Sequence, residues 1–535
     1  MFSGQSDKPK GAKQTPSVKA GAERRQRQMI SVRQKAHGEV MKHVREDHTS
    51  GVAGLPTTED GEPVNAWSFN IDTTPENVPR ELLPEFVRMV MEGQSDAEVY
   101  QGVLMLRKIL AVEKDPPHDE VNQSGVIPYL LNLMDRFEAP RLQFEAAWAL
   151  TNVAAGTTAS TIFIVKAGAI PRFVALLGSE HADCRDQGAW GLGNIAGEGV
   201  YCRDLLLQNG ALPALLALLS DPEQPAGVLR NAVWALSNLT RGKPSPPLEQ
   251  VSIALPTLSK LLHHEEKEIV IDAAWAISYI SDGPAERVQA VIDSGVVPRV
   301  VEFLSCSVTP LQTSGIRTVG NIASGDDSQT QILINHGVLP LLGPLLMHPR
   351  REIRKETCWT ISNIAAGNPF QIDALIASEI FPVVISNCLV SNELDVRKEA
   401  VWAIANITLC GVAPHLRYLL QCGVITPLCA VLTTHESRIL TVALEALLGF
   451  LQLGEDDYKA GMFERNVVAD AVLECGGVDS IERIQSYTDT NLYSMALSIL
   501  ETYFNLEDGA PNGAFDTSMD FGDATANQPN AGFDF

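Results

Sequence analysis

A tryptophan followed four residues later by an asparagine recurs along this chain, first in AWALTNVAAG at residues 147–156. An indole accommodates the aliphatic stem of a lysine or arginine and attracts the cation through its faces. An asparagine amide has one acceptor and two donor hydrogens, so it can pair with both backbone groups of an extended peptide. We therefore expect these pairs, called here the ladder, to bind an extended basic peptide. The ladder pairs are Trp148 and Asn152, Trp190 and Asn194, Trp234 and Asn238, Trp359 and Asn363, and Trp402 and Asn406.

The spacing of the ladder tryptophans is regular. They recur at a nearly constant interval from Trp148 to Trp402, except for one interval of twice the usual length after Trp275. In that interval GIRTVGNIA places Arg317 and Asn321 where the pair is expected, and Trp275 itself is followed by Tyr279 instead of asparagine. Weaker copies occur around Arg107 and at residue 444. A fixed period of roughly 40 residues is the signature of a repeat array.

A second motif has the same period, in the form GVIP at 125, GAIP at 168, GALP at 210, GVVP at 295 and GVLP at 337. Glycine commonly ends one helix, and proline is tolerated in the first turn of the next. Each unit is therefore predicted to contain a short helix, a second helix and a long helix. Such units must stack to bury their apolar faces. The expected fold is an all-α, right-handed α-solenoid of about ten repeats over residues 75–507.

The direction in which the ladder points follows from a rotation of about 100° per helical residue. Asn152 and Glu145 both fall on the side of the helix that carries Trp148, whereas the aliphatic Leu150 and Val153 fall on the opposite side. The tryptophans and asparagines could pack between repeats or line an exposed surface. Several asparagines buried without partners would cost about 1–3 kcal/mol each. We therefore predict an exposed ladder.

The charge of the chain is unevenly distributed. The net charge is −24, but residues 1–45 hold eleven Lys/Arg and three Asp/Glu. A basic tail on an acidic body favours basic ligands for the body, and it argues against nucleic acid as a partner of the body. Residues 1–60 are expected to form a basic segment that becomes helical on a partner. Residues 508–535, rich in Gly, Asn and Asp, are expected to be a disordered acidic tail.

The remaining residue types do not suggest catalysis. The nine cysteines contain no C-x-x-C motif, His263 and His264 have no nearby ligand cluster, and no nucleophile, base and orienting group stand together. GLGNIA from Gly191 has the spacing of a dinucleotide-binding motif, but it lies inside a predicted helix with no strand before it. We expect no enzyme activity, no cofactor, no metal and no membrane insertion.

The ladder, the basic N-terminal segment and the substitution at the sixth repeat together resemble the armadillo-repeat importin-α (karyopherin-α) family over nearly the whole chain. The resemblance implies an adaptor that binds nuclear localisation signals on cargo proteins, links them to importin-β and shuttles between cytoplasm and nucleus. It also implies two peptide grooves. The major groove would comprise Trp148, Asn152, Gly156, Thr161, Gln187, Trp190, Asn194, Glu198, Trp234, Asn238 and Asp272. The minor groove would comprise Arg317, Asn321, Glu356, Trp359, Asn363, Glu399, Trp402 and Asn406.

The resemblance assigns roles to both ends of the chain as well. Residues 23–46 resemble the importin-β-binding segment, and the residues expected to contact importin-β are Arg24, Arg25, Arg27, Arg33 and Lys35. The basic cluster that acts as an internal pseudo-substrate in the family is reduced here to Lys42 and Arg45, so weak autoinhibition is expected. LECGGVDSIERIQ at 473 resembles the terminal repeat that contacts the recycling exportin with Ran-GTP.

One alternative shares the solenoid. An armadillo scaffold of the β-catenin type, used in adhesion or signalling, would have the same repeats. It would need neither a Trp/Asn ladder nor a basic segment before the repeats, so the two features distinguish the hypotheses.

Overall fold

The computed structural model describes residues 75–112 and 115–504. Within these residues every regular element is helical, which confirms the predicted all-α class. The predicted partner-binding segment 1–60 and acidic tail 508–535 lie outside the described residues. The described helical structure begins at Pro75 and ends at Tyr503. The domain limits at 75 and 507 stay a prediction.

Ten long helices form the inner row of the array, one for each repeat. The ladder pairs lie on the long helices of repeats two, three, four, seven and eight, as the repeat pattern predicts. The long helices are Asp96–Leu110, Pro140–Ala155, Ala182–Gly197, Ala226–Thr240, Lys267–Ile280, Thr309–Ala323, Arg351–Ile364, Leu394–Cys410, Ser437–Lys459 and Thr490–Tyr503.

Shorter helices precede each long helix and form the outer surface. In repeats two to ten there are two of them, whereas the first repeat has one described α-helix and short 3₁₀ turns before it. The first helices are His118–Gln123, Thr158–Lys166, Val200–Gln208, Leu248–Val251, Ala285–Asp293, Asp327–Asn335, Pro369–Ala377, Ala413–Gln421 and Val467–Glu474. The second helices are Leu83–Glu92, Ile127–Met134, Ala169–Leu176, Ala211–Leu219, Leu255–Leu261, Val297–Phe303, Leu339–Leu346, Phe381–Val383 with the π-helical Val384–Cys388, Ile425–Val431 and Gly477–Ile484. Further 3₁₀ turns are Pro75–Asn77, Arg80–Leu82 and Ser252–Ala254.

The turn between the two outer helices explains the periodic glycine. Gly168 has φ 95°, a left-handed conformation that a residue without Cβ adopts at little cost. The equivalent place in repeat eight, before the proline of SEIFP, is occupied by Glu379 with φ 56°. This glutamate therefore adopts a backbone conformation that is unfavourable for its residue type.

The core runs along the whole array. Each long helix packs against the long helices of the repeats before and after it. The aliphatic side predicted from the helical rotation is buried, as at Leu150, Val153, Leu192 and Ile195. Because each repeat buries its apolar face only against its neighbours, the ladder side of every long helix is held at a nearly constant spacing.

The long helix of repeat nine, Ser437–Lys459, is long and apolar enough to cross a membrane by length and composition. The sequence prediction of no comparable segment did not anticipate this. In the described residues two bent pairs of helices also meet the criterion together, Thr158–Lys166 with Ala169–Leu176 and Pro369–Ala377 with Phe381–Cys388. Ser437–Lys459 packs against the long helices of repeats eight and ten, and Leu440 and Leu447 are buried there. Its apolar character is thus used in the solenoid core.

Candidate peptide-binding surface

The ladder asparagines are buried, so the predicted exposure of these side chains is wrong. Asn152 and Asn194 are fully inaccessible, and the others are at most 5 % exposed. Burial is possible because each amide nitrogen donates a hydrogen bond to a carbonyl of the preceding long helix. The bonds of the five ladder asparagines run from Asn152 to Arg107 (3.2 Å), Asn194 to Thr151 (3.1 Å), Asn238 to Gly193 (3.1 Å), Asn363 to Gly320 (3.1 Å) and Asn406 to Ser362 (2.6 Å), and the equivalent Asn321 of repeat six donates to Ser278 (3.0 Å).

The inter-repeat bond needs only one of the two donor hydrogens of an amide. It connects consecutive repeats and holds the amide plane, and the oxygen of the same amide can accept a bond from a ligand. In the described part of the chain the buried Oδ1 atoms of Asn152 and Asn321 accept no hydrogen bond. A buried acceptor without a partner is unfavourable, so these two oxygens are unsatisfied hydrogen-bond acceptors within the ladder row.

The ladder tryptophans differ in exposure. Trp148 and Trp359 are buried, so the predicted exposure is wrong for these two indoles as well, whereas Trp190, Trp234 and Trp402 are half-buried. The rings of Trp190 and Trp234 are 6.4 Å apart between centroids and inclined by 64°. Indoles at this separation contact each other edge to face and form one apolar surface across repeats three and four, which suits packing of an aliphatic stem along it.

Small residues in one repeat allow the tryptophan of the next to approach. A Cβ at Gly193 would lie 2.1 Å from Cζ3 of Trp234, and a Cβ at Gly320 would lie 2.1 Å from Cζ3 of Trp359. These two rings therefore lie directly on the backbone of the preceding long helix. The ladder is positioned by contacts between repeats, and a side chain larger than hydrogen at either glycine would displace the ring.

Acidic side chains lie one turn before several tryptophans. Burial, together with the nearby Glu268 carboxylate, raises the pKa of Asp272 to about 7. The buried Glu145 carboxylate pairs with Arg107 at 2.6 Å, and Glu356 lies 3.3 Å from the ammonium of Lys355. Glu399 is half-buried at the corresponding place in repeat eight. Glu145 and Glu356 are thus paired with cations of the chain itself, whereas Asp272 in its ionised form adds negative charge to the ladder side, which favours a ligand cation.

The loop after the second long helix and the short helix that follows it contain two of the predicted groove residues, Gly156 and Thr161. Gly156 ends Pro140–Ala155, and Thr161 is buried with its hydroxyl donating to the carbonyl of Ala154 at 3.1 Å. A Cβ at Gly156 would lie 2.7 Å from the His118 ring, so the histidine packs directly on this glycine. Sequence reasoning missed His118 because no motif includes it and only folding brings it to this loop.

Further predicted groove residues lie on the same row of long helices. Gln187 is fully buried in Ala182–Gly197, and neither atom of its amide has a hydrogen-bond partner within the described residues. Glu198 follows the end of that helix and is half-buried.

The predicted minor-groove residues are brought together on the long helices of repeats six to eight. In repeat six Arg317 is buried. The amide nitrogen of Asn321 donates to the hydroxyl of Ser281 at 2.9 Å and to the carbonyl of Ser278 in the preceding repeat. Repeat five, which lies between the two predicted grooves, has Tyr279 in place of the asparagine, and its ring stacks on Trp275 at 5.8 Å. Burial raises the pKa of Tyr279, whereas the nearby Arg241 and Arg317 oppose this effect. The predicted division between repeats two to four and six to eight thus coincides with a change in the ladder.

No group of three His, Cys, Asp or Glu side chains within residues 75–112 and 115–504 could hold a metal ion. The basic residues Arg24, Arg25, Arg27, Arg33, Lys35, Lys42 and Arg45 lie outside the described residues, so their predicted roles stay predictions.

Comparison with known protein families identifies the repeats. The armadillo/beta-catenin-like repeat model matches residues 115–155, 157–197, 200–241, 246–282, 326–366 and 368–409. An atypical armadillo repeat model matches residues 466–516. The matched segments correspond to repeats two to five, seven, eight and ten of the structure.

Curated relatives extend the similarity over most of the chain. Importin subunit alpha-1b of Oryza sativa subsp. japonica is 40 % identical and covers 85 % of both chains. Importin subunit alpha-4 of Arabidopsis thaliana is 44 % identical over 85 % of each chain, and importin subunit alpha-1a of Oryza sativa subsp. japonica is 40 % identical over 94 % of each. A solved engineered protein superimposes with a TM-score of 0.70 at 25 % identity, covering 78 % of this chain and 98 % of its own. The chain belongs to the importin-α family of armadillo-repeat proteins.

Proposed function

We propose that this protein is a nuclear import adaptor that binds Lys/Arg-rich localisation signals in extended form along the ladder and links the cargo to importin-β. The observation that carries the proposal is the repeated geometry of buried amides beside indoles and carboxylates on consecutive long helices. The amides are held by inter-repeat hydrogen bonds, so they are preorganised to pair with a peptide backbone. The indoles and carboxylates would select the stems and charges of basic side chains.

The major groove is proposed to bind a single basic cluster, and both grooves together a two-cluster signal. Occupying two grooves with one peptide increases affinity through effective concentration. Family membership and the ladder both favour this function over an adhesion or signalling scaffold, which needs neither ladder nor basic segment. Shuttling between cytoplasm and nucleus, and release by a recycling exportin with Ran-GTP at the terminal repeat, belong to the same proposal.

The test of the major groove is the double variant Trp190→Ala with Asn194→Ala. Binding of a fluorescent single-cluster peptide should weaken by at least about 2 kcal/mol, or roughly thirtyfold, because an apolar surface for a stem and a backbone partner are lost together. Loss of the Asn194 bond to Thr151 should also lower stability by about 1 kcal/mol, so a thermal melt must show that the variant is folded.

A matched control removes an aromatic and an asparagine that share one outer helix. Tyr129 and Asn132 are exposed on Ile127–Met134, away from the ladder. Tyr129→Ala with Asn132→Ala should leave peptide affinity unchanged. If the folded ladder variant binds as tightly as this control, the ladder does not bind the peptide.

The link to importin-β is proposed to run through residues 23–46 in helical form. Reversing the charges of Arg24, Arg25 and Arg27 should abolish importin-β binding and leave peptide binding to the repeats intact. Reversing Lys8, Lys10 and Lys13 gives the same change of net charge in the same basic segment and should have a much smaller effect. Equal losses in the two triple variants would mean that only the net charge of the segment matters.

A further inference from the structure

The carbonyls that accept the inter-repeat hydrogen bonds identify an equivalent position in six repeats. In repeats two, three, five, six and seven this position holds a small residue: Thr151, Gly193, Ser278, Gly320 and Ser362. In repeat one the equivalent acceptor is the carbonyl of Arg107, to which Asn152 donates its hydrogen bond. A large cationic side chain thus stands where the following repeats have a small one.

Where this position is glycine, the next tryptophan lies on the backbone, as at Gly193 for Trp234 and at Gly320 for Trp359. Arg107 instead places its guanidinium over the ring of Trp148, with Cζ 3.9 Å from the ring centroid. Its Nε also donates to Oε2 of Glu145 at 2.6 Å. Arg107 is 2 % exposed, so both contacts are made by a buried cation.

We propose that Arg107 is a built-in cation that closes the major groove at repeat one and thereby determines where the basic cluster of a ligand must end. The indole face and the carboxylate that it contacts are the two groups by which a ladder repeat would attract a ligand cation. Because the chain's own guanidinium contacts both, the repeat-one side of Trp148 offers no cation site. This inference rests on the proposed peptide-binding function and deepens it.

The buried ion pair explains why a ligand lysine does not simply replace Arg107. Removing one partner of a buried pair leaves an uncompensated charge, which is strongly unfavourable. Arg107 is also tethered to its long helix, whereas a ligand lysine loses conformational freedom on binding. A ligand residue beyond this end of the groove should therefore bind equally well as lysine or alanine.

The experiment measures peptide discrimination by fluorescence polarisation. A single-cluster basic peptide, called here the core peptide, is extended by one residue at one end or the other. The added residue is lysine or alanine, and the ratio of the affinity of the lysine peptide to that of the alanine peptide is measured for each end. The full chain should show a ratio within about twofold at the end that meets repeat one. In Arg107→Ser, which places there the residue type of Ser278 and Ser362, the lysine peptide should gain at least about fivefold over alanine at that end.

Two further variants keep the test decisive. Arg107→Ser with Glu145→Gln leaves no uncompensated buried charge, so it should fold even where the single variant does not, and its lysine preference should be about threefold. Arg299→Ala is the matched control, because Arg299 also lies over an aromatic ring, 5.0 Å from the centroid of Phe303, and pairs with Glu302 at 2.7 Å. It should leave the ratio unchanged.

The outcomes separate this inference from the proposed function. If the core peptide binds the full chain but neither Arg107 variant gains a preference for lysine, Arg107 does not close the groove. A fivefold lysine preference already present in the full chain would also overturn the inference. If the core peptide does not bind, or the Trp190 and Asn194 variant binds it normally, the proposed function itself is wrong.

Discussion

Peptide affinity should depend on pH through Asp272, which lies three residues before Trp275 on the long helix of repeat five. Burial and the neighbouring Glu268 raise the pKa of this carboxyl from 3.8 to about 7. Only the ionised form attracts a ligand cation. Asp272 is ionised in roughly one molecule in ten at pH 6 and nine in ten at pH 8. A basic cluster that contacts Asp272 should therefore bind about tenfold more tightly at pH 8.

Stability should change in the opposite direction. The folded-state pKa is raised above the unfolded value, so the folded protein holds the proton more tightly between about pH 4 and pH 7. Stability from this group is complete below the unfolded pKa and is lost as the pH rises through 7. The shift corresponds to roughly 4 kcal/mol at most. Asp272→Asn should thus be more stable than the unsubstituted protein at pH 8.

The assay is a titration of a Lys/Arg-rich peptide without histidine, followed by polarisation from pH 6 to pH 8 at constant ionic strength. Asp272→Asn is the essential comparison, because it removes only this carboxyl and leaves every other titratable group of the chain in place. Its affinity should be nearly constant with pH and weaker than that of the unsubstituted protein at pH 8. An identical pH dependence in both proteins would refute the role of Asp272.

Four further predictions concern the backbone, the ladder and the ends of the chain. Glu379→Gly should increase stability in urea unfolding by about 1 kcal/mol, because glycine tolerates the positive φ. Gly193→Ala should lower stability by about 1–3 kcal/mol, because its methyl would overlap Trp234; an unchanged midpoint would contradict the packing. Glu399→Arg should weaken two-cluster peptides more than peptides that use the major groove alone, as measured by competition. Deleting residues 1–60 should improve peptide affinity by less than about tenfold, because the pseudo-substrate cluster is diluted; a hundredfold gain would contradict this.

The array itself could be predicted from the sequence. The period, the order of helices in each unit and the ladder pairs depend on local features: turn glycines, helix-starting prolines and the position of each side chain around one helix. The positions of Leu150, Val153 and Trp148 follow from helical rotation alone. The predictions agree with the folded array because each repeat packs against repeats of nearly the same kind. A pattern recognised in one unit therefore applies to the next.

Only the tertiary structure decided how the ladder is held. Helical rotation places Asn152 beside Trp148 but cannot show that its amide nitrogen reaches the carbonyl of Arg107, 45 residues earlier. The burial that raises the pKa of Asp272 and the packing of His118 on Gly156 likewise depend on distances between repeats. The solvent exposure of a side chain depends on all the residues that surround it in the folded protein. The periodicity of the sequence indicates only the side of its own helix on which the residue lies. The exposure of the asparagines was therefore predicted wrongly although their positions were predicted correctly.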